Sequence, residues 1–242
     1  MSNLHRFFYA GPIAEDSIVT LDADTAKHIW QVLRMKEGDH ILLTDGKGTV
    51  AEGEIHTAER HKCNVSIQQV SFTPRNGKSL HLCVAFTKNN SRNEWLLEKA
   101  TELGVGSIIP ITTTRSEKAH VRVDRWEKIL QSAILQSQQN YLPALAKITP
   151  LAQAIKQYGD VPQKFVAHCI DDKKKVSLSK LLKPEGDTIL LIGPEGDFTQ
   201  DEVNLCIQSG FVPVSLGRQR LRTETAAIAA AAYFNVMCDE EN

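Results

Sequence analysis

Two glycine-bearing turns in the last quarter of the chain constrain its fold most strongly, because each follows a short apolar run. The first lies in TILLIGPEGDFT from Thr188, and the second in VPVSLGRQRLRTETAAIAAAAYF from Val212. Ligands of open α/β sheets bind in the crevice beyond the carboxyl ends of the strands. Two such loops side by side therefore predict a small-molecule pocket.

The second of these loops also carries three arginines, Arg218, Arg220 and Arg222. A guanidinium group is always charged and pairs well with phosphate, and phosphate contacts dominate the affinity of proteins for nucleic acid. A pocket bordered by these three arginines predicts a site where a small cofactor meets a polyanion.

From Ser79 onward the pattern alternates between strand and helix. Apolar runs that read as buried strands begin at Leu80, Ser107, Lys164 and Thr188, and helix patterns separate them. Such alternation is typical of an open parallel sheet with helices on its faces. The second half of the chain is therefore predicted to be an α/β domain.

Helix starts in this half are marked by capping residues. Ser91 with Glu94, and Thr199 with Glu202, have the spacing of a capping box. An acidic first turn at Asp124 opens a further helix that we expect to run to about Asn140, since the pattern stays helical over that stretch.

The first seventy residues have a different character, with short strand candidates separated by turn signals. The segments GDHILLTDGKG, GTVAEGEIHTAE and CNVSIQQV alternate apolar and polar residues, and DGKG favours a tight turn. One short helix is expected from about Asp24 to Leu33. The pattern predicts a small, mostly antiparallel barrel, followed by polar linker sequence at FTPRNGK from Phe72.

Composition sets looser bounds on the class of protein. The 242 residues are 42% hydrophobic, and no apolar run approaches the roughly 20 residues that cross a bilayer. The opening residues lack a secretory signal, so we expect a cytoplasmic protein without a membrane segment. Lys and Arg total 28 against 29 for Asp and Glu, so a polyanion must be bound by a local patch.

Cysteine and histidine spacing gives no sign of a metal site. The five cysteines are scattered without a CxxC pair, and the histidines form no triad at a recognisable spacing. We therefore expect buried free thiols and no bound metal.

The two terminal loops, taken with three upstream segments, resemble one family. GPEGDFT followed by LGRQRLRTETA, together with HRFFYAG, HIWQVLRMKEGD and EWLLEKATELGV, is similar to the SPOUT methyltransferases, and most closely to their 16S ribosomal RNA uridine-N3 methyltransferases. The resemblance implies a PUA-like RNA-binding β-barrel at residues 1–72. It also implies a SPOUT-type α/β domain with a trefoil knot at residues 73–242.

What the resemblance implies about function is specific. The expected reaction is methylation of N3 of one uridine in 16S ribosomal RNA, either naked or in the assembled small subunit, by a homodimer that uses S-adenosyl-L-methionine. The expected catalytic residues are Arg222, as stabiliser of the uracil anion, and Glu224, as one candidate proton acceptor. The cofactor-binding residues would be Leu191, Gly193, Glu195, Gly196, Ser215, Leu216, Gly217, Leu221 and Thr225.

Cations elsewhere in the matching strings are candidate RNA contacts, namely Arg6, Arg34, Lys88, Arg92 and Lys99. The alanine-rich helix after Glu224 is expected near a dimer contact. The chain also departs from the family pattern. Leu135 and Gln139 replace an acidic residue and an arginine, and Gln219 and Arg220 stand where arginine and an aliphatic residue are usual.

Two other functions remain open at this point. A SPOUT ribose 2'-O-methyltransferase would need the same cofactor pocket but would act on a hydroxyl group. A non-catalytic RNA-binding assembly factor would keep the fold without turnover.

Overall fold

The computed structural model describes residues 4–75, 77–117, 122–170, 175–183 and 185–239. The chain divides into two compact units. The first takes the residues up to Arg75 together with Ile134–Leu142, and the second takes the rest. Each unit has its own buried hydrophobic cluster.

The first unit is a five-stranded sheet with a short helical segment packed on it. Its strand order is β1-β3-β4-β5-β2, in which β1 pairs with β3 in parallel and the other pairs are antiparallel. The strands are β1 (Arg6–Phe8), β2 (Ile18–Thr20), β3 (His40–Thr44), β4 (Thr49–Glu59) and β5 (Lys62–Phe72). The predicted strands and the DGKG turn between β3 and β4 are confirmed.

The predicted helix from Asp24 to Leu33 is in fact two segments. Helix α1 (Ala23–Lys27) is capped by Asp22, and a π-helical segment, His28–Leu33, follows it directly. Arg34 ends this segment in the left-handed conformation, with φ of 55°. Sequence patterns did not distinguish the two segments, because both present apolar residues at similar spacing.

The stretch 134–142 packs with the first unit, which the sequence did not indicate. The Arg6 guanidinium donates a hydrogen bond to Asn140 Oδ1 at 2.6 Å, and the Tyr141 hydroxyl donates to the Thr73 carbonyl at 2.6 Å. The Gly48 N–H donates to the carbonyl of Asn140 at 2.9 Å. These bonds tie a segment from the middle of the chain to its amino-terminal sheet.

The second unit is built on a sheet whose strands are all parallel, as predicted. Its main path runs β11-β13-β10-β12-β6-β7-β8, and β9 pairs with β7. The strands are β6 (Leu80–Val84), β7 (Ser107–Thr112), β8 (Ala144–Leu145), β9 (Thr149–Pro150), β10 (Gln163–Ala167), β11 (Val176–Ser177), β12 (Thr188–Ile192) and β13 (Val212–Ser215). The trefoil knot stays a prediction.

Helices follow the strands of this unit. They are α2 (Asn90–Glu102), α3 (Val123–Gln136), α4 (Leu151–Gln157), α5 (Leu178–Leu181), α6 (Gln200–Gln208) and α7 (Thr223–Asp239). Helix α3 ends at Gln136, short of the predicted Asn140. Gln138 then adopts a left-handed conformation with φ of 57°, so the helix ends within the segment 134–142 that packs with the first unit.

One of the two predicted capping boxes is confirmed and the other is wrong. The side chains of Thr199 and Glu202 cap each other's backbone at the start of α6. At α2 the capping residue is Asn89, which accepts from the Arg92 N–H, instead of Ser91. The Glu94 carboxylate forms an ion pair with Arg125 of the neighbouring helix α3 and does not take part in the cap.

Glu202 also fixes the loop after β7, because its carboxylate accepts hydrogen bonds from the backbone N–H and hydroxyl of Thr114. Burial alone raises the pKa of Glu202, but the hydrogen bonds from Thr114 and Thr199 outweigh burial and lower that pKa. A lowered pKa means that the ionised form stabilises the fold above the ordinary glutamate pKa of about 4.3. The contribution is lost as the pH falls through the lowered value.

We therefore expect E202Q to lower the free energy of unfolding by about 1 kcal/mol at neutral pH. The difference from the unsubstituted protein should shrink as the pH falls below about 4. D201N, an exposed change in the same helical turn, is the control and should alter stability by less than about 0.5 kcal/mol. Urea titrations across the pH range measure this, and a pH-independent gap for E202Q would contradict it.

Candidate functional site

A cavity of about 530 Å³ opens at the carboxyl ends of three adjacent parallel strands, β13, β10 and β12. Ala167 of β10 is paired with Val214 on one side and with Ile192 on the other, so the three strands end at nearly the same level. The residues that line the cavity are Ala167, His168, Cys169, Lys175, Ile192, Gly193, Pro194, Glu195, Asp197, Val214, Ser215, Leu216, Gly217, Arg218, Gln219, Arg220, Leu221, Arg222, Thr223 and Ala226.

The two glycine-bearing loops do both line this cavity, but they are not direct neighbours. Strand β10 lies between β12 and β13, and its own loop forms part of the wall through His168 and Cys169. The prediction of two adjacent loops was wrong in this respect, since strand order cannot be read from sequence spacing. The Cys169 N–H donates to Asp197 Oδ2 at 2.7 Å, which joins the β10 loop to the β12 loop.

The loop after β12 is held in shape by contacts within the chain. A side chain at Gly193 would place its Cβ 3.1 Å from both the ring and the backbone nitrogen of Phe198, which is fully buried. Arg115 donates from Nη1 to the Gly196 carbonyl at 2.9 Å. Asp197 adopts a left-handed conformation with φ of 63°. The absence of a side chain at Gly193 is therefore explained by Phe198, without reference to a ligand.

The loop after β13 is open on its cavity side. Gly217 has φ of 140°, a conformation that side chains strain, and a Cβ built there would meet nothing within 4 Å. The Ser215 hydroxyl donates to the Gly217 carbonyl at 2.8 Å and fixes the turn. This loop combines a rigid backbone with free space above it, which suits the close approach of a flat ligand.

The three arginines after this turn lie at the mouth of the cavity. Arg218, Arg220 and Arg222 are exposed, and none has a carboxylate partner among the residues that the structure describes. Three guanidinium groups without counter-ions attract anions from solution. The rim is therefore suited to an anionic ligand, and the meeting of a cofactor and a polyanion at this site stays a prediction.

The start of α7 is tied to the loop after β12. The buried Thr223 hydroxyl donates to the Gly193 carbonyl at 3.1 Å. The Glu224 side chain is only 10% exposed, and its Oε1 lies 3.6 Å from Arg92 Nε. Its Oε2 is buried and has no hydrogen-bond partner among the described residues. Glu224 does not line the cavity, so its role as a proton acceptor stays a prediction.

Several of the predicted cofactor and catalytic residues line the cavity, and others do not. Those in the wall are Gly193, Glu195, Ser215, Leu216, Gly217, Leu221 and Arg222. Outside it are Leu191, which is fully buried in the sheet, Gly196, Glu224 and the exposed Thr225. The roles of all these residues stay predictions. Of the departures from the family pattern, Gln219 and Arg220 are both in the wall.

The sequence missed the residues of the β10 loop and Lys175. The Lys175 ammonium donates to the carbonyls of His168 at 3.0 Å and Ile170 at 2.7 Å. The only available signal was that QKFVA, like the other buried strands, ends at the edge of the sheet where ligands bind.

The predicted RNA contacts of the second unit are all engaged with carboxylates. Lys88 pairs with Glu117 at 3.1 Å, and Lys99 pairs with both Glu98 and Glu102. Arg92 pairs with Glu195 at 2.9 Å as well as with Glu224. An RNA phosphate would have to compete with these partners, so their RNA-binding role stays a prediction.

The two predicted RNA contacts of the first unit, Arg6 and Arg34, differ in how far they are exposed to solvent. Arg6 is half-buried, and burial lowers its pKa, while its guanidinium donates to Asn140. Arg34 is exposed, at the end of the π-helical segment. Of these two arginines, Arg34 is the one whose guanidinium is accessible to solvent.

The thiols are mostly buried, as expected. Burial raises the pKa of Cys63 to about 11 and that of Cys206 to about 12, and it also raises the pKa of Cys83. Cys169 is exposed in the cavity wall, and Cys238 is only partly buried. No group of three potential metal ligands occurs among the residues described. Within those ranges, no helix combines the length and apolar character needed to cross a membrane.

Family models match both units. A model of the RNA methyltransferase domain matches residues 73–235, and a model of the RNA methyltransferase PUA domain matches residues 21–68. The chain belongs to the RNA methyltransferase family. The strand order and the loop cavity described above are thus those of a methyltransferase domain.

Relatives and solved structures agree with this assignment. The ribosomal RNA small subunit methyltransferase E of Bacillus subtilis is 29% identical over 238 residues, covering 91% of this chain and 92% of the relative. The structure of the Neisseria gonorrhoeae ribosomal RNA small subunit methyltransferase E, bound to S-adenosylmethionine, is 28% identical with a TM-score of 0.84, covering 97% and 98% of the two chains. A Porphyromonas gingivalis protein is 33% identical with a TM-score of 0.88, covering 99% and 100%.

The geometry predicts that the two glycines of the β12 loop differ in their tolerance of a side chain. G193A should lower the free energy of unfolding by about 1–3 kcal/mol, because the new Cβ would displace the buried Phe198. G196A is the matched control, since its Cβ would make only an ordinary 3.4 Å contact with Arg115. Thermal and urea unfolding of both variants checks this. Equal stability of the two would show that Phe198 does not require the glycine.

Proposed function

We propose that this protein transfers a methyl group from S-adenosyl-L-methionine to N3 of one uridine in 16S ribosomal RNA. The observation that carries the proposal is the cavity at the ends of β13, β10 and β12, with Arg222 at its mouth, in a fold that holds S-adenosylmethionine in the Neisseria relative. The name shared by several relatives, ribosomal RNA small subunit methyltransferase E, supports the substrate class.

The cavity fits the proposed cofactor. Its volume of about 530 Å³ lies within the roughly 300–1,000 Å³ of small-molecule sites. The loop after β13 would hold the cofactor through Ser215, Leu216 and Gly217, and the loop after β12 through Gly193 and Glu195. When bound, S-adenosylmethionine supplies a methyl group on a sulfonium, so the protein has only to bind, orient and stabilise charge.

Arg222 would stabilise the developing anion. The N3 of uracil becomes a useful nucleophile only as its proton leaves, and negative charge then spreads onto O2 and O4. A guanidinium held near these oxygens favours that anion and cannot act as the base, because its pKa is far too high. Arg222 suits this role because it is exposed at the cavity and is followed directly by the anchored Thr223.

Glu224 is our proposed proton acceptor. Its Oε2 is buried without a partner in the part of the chain that is described, and it lies two residues after Arg222. A carboxylate with a free oxygen can accept the imide hydrogen through a hydrogen bond. In this arrangement Arg222 would stabilise the negative charge on O2 and O4 of uracil, and Glu224 would accept the proton from N3.

RNA would approach over the cationic rim. Arg218 and Arg220 have no carboxylate partners in the described ranges, in contrast to Lys88, Arg92 and Lys99, so they are better placed to bind phosphates. We propose Arg34 as a further contact on the first unit. The target base must be unpaired or flipped out, because N3 lies on the Watson-Crick face. The RNA would be folded 16S rRNA or the assembled small subunit.

We further propose that the protein works as a cytoplasmic homodimer, since ribosomal RNA is found in that compartment. The dimer contact would use the half-buried face of α7, because the buried alanines of this helix already pack against other elements of the same protomer. Ala226, Ala227, Ala230 and Ala231 are buried, and α7 packs against α2 and β6. The alanine stripe is thus in large part an internal packing surface.

R222A should lower the rate of methyl transfer by about 100-fold or more, because it removes the stabilising charge. Labelled S-adenosylmethionine with small subunits, naked 16S rRNA and tRNA as substrates measures the rate, and digestion to nucleosides separates N3-methyluridine from 2'-O-methyl products. R125A, which changes an arginine paired with Glu94 on a neighbouring helix, is the control and should keep the rate. A 2'-O-methylated product, or undiminished transfer by R222A, would overturn the proposal.

A double variant, R218A with R220A, should weaken RNA binding at every sequence tested. Each lost phosphate contact should also reduce the slope of log affinity against log salt by about 1. Filter-binding titrations over a range of salt concentrations measure both effects, with R125A again as the control. An unchanged slope would remove these two arginines from the RNA surface.

A further inference from the structure

Arg92 joins three segments that are far apart in the sequence. It lies in the first turn of α2, and its Nη1 donates to Glu195 Oε1 in the β12 loop at 2.9 Å. Its Nε lies 3.6 Å from Glu224 Oε1 in the first turn of α7. One guanidinium thus bridges a cavity-wall carboxylate and the buried carboxylate beside Arg222.

The backbone that carries Arg92 is itself held rigidly. The Asn89 side chain accepts from the Arg92 N–H, and the buried Asn93 exchanges hydrogen bonds with both the N–H and the carbonyl of Thr87. These bonds fix the turn between β6 and α2. A side chain on such a turn can hold its partners in one geometry with little loss of entropy.

The bridge leaves the Glu224 carboxylate with one committed and one free oxygen. Oε1 faces Arg92, whereas Oε2 is buried and has no partner among the residues described. The charged groups that the structure places around this carboxylate are Arg92 of α2 and, through that guanidinium, Glu195 of the β12 loop.

We propose that Arg92 is a positioning residue for methyl transfer, and not an RNA contact. It holds the Glu224 carboxylate in place through Oε1 and links that carboxylate to the loop after β12 through Glu195. This inference rests on the proposed function, because it assigns Arg92 a task in that reaction. It differs from the role that the sequence suggested for Arg92.

The decisive variant is R92M, which keeps much of the length of the side chain and removes its charge. Methyl transfer at neutral pH should fall by about 100-fold, the usual effect of a displaced catalytic group. RNA affinity and its salt dependence should stay as in the unsubstituted protein.

R125M is the matched control. It removes a guanidinium of α3 that pairs with Glu94 of α2, far in sequence from both loops, and it should leave the rate of methyl transfer unchanged. R92K is the second variant, in case R92M unfolds. A lysine keeps the charge but has no fork to reach two carboxylates, so its rate should lie between that of R92M and that of the unsubstituted protein.

The outcomes separate this inference from the proposed function. If R92M keeps its rate of methyl transfer at saturating RNA and only binds RNA more weakly with a lower salt slope, Arg92 is an RNA contact and the inference is wrong. If R92K transfers methyl groups at the full rate, the bridge is not needed and the inference is also wrong. Failure of the unsubstituted protein to methylate N3 of uridine in small subunits would instead reject the proposed function.

Discussion

The pairing of β10 with both β12 and β13 is the constraint on which the site depends. Ala167, Ile192 and Val214 are in register, so the three strands end together and deliver three loops to one edge of the sheet. Hydrogen bonds between loops then set their shapes, as Asp197 does by accepting from the Cys169 N–H. A slip of one residue in any of these strands would move its loop by about 3.3 Å and turn its side chains to the opposite face.

A second organising feature is the division of cations into two kinds. Arg92, Lys88 and Lys99 are paired with carboxylates and so contribute to the architecture of α2 and its neighbours. Arg218 and Arg220 have no such partners among the residues that the structure covers, and they face the cavity mouth. In a chain whose charges almost balance, it is this distribution that generates a local cationic surface.

The sequence predicted the α/β class, most strands and the two glycine-bearing loops, because apolar periodicity and turn residues are local signals. It could not predict that β10 separates the two loops, since strand order depends on non-local pairing. The Arg92–Glu195 pair spans 103 positions, so no spacing rule could find it. The Ser91 prediction failed for a related reason. Asn89 lies two residues earlier and makes the cap, which leaves Glu94 available to Arg125.

The segment 134–142 gives the first unit an unusual order of assembly. Its sheet is encoded before residue 73, yet Arg6 and Gly48 donate hydrogen bonds to a partner, Asn140, that is synthesised much later. During translation the Arg6 guanidinium therefore lacks this acceptor until the residues that follow α3 have left the ribosome. The amino-terminal unit becomes complete only after residue 142 has been synthesised.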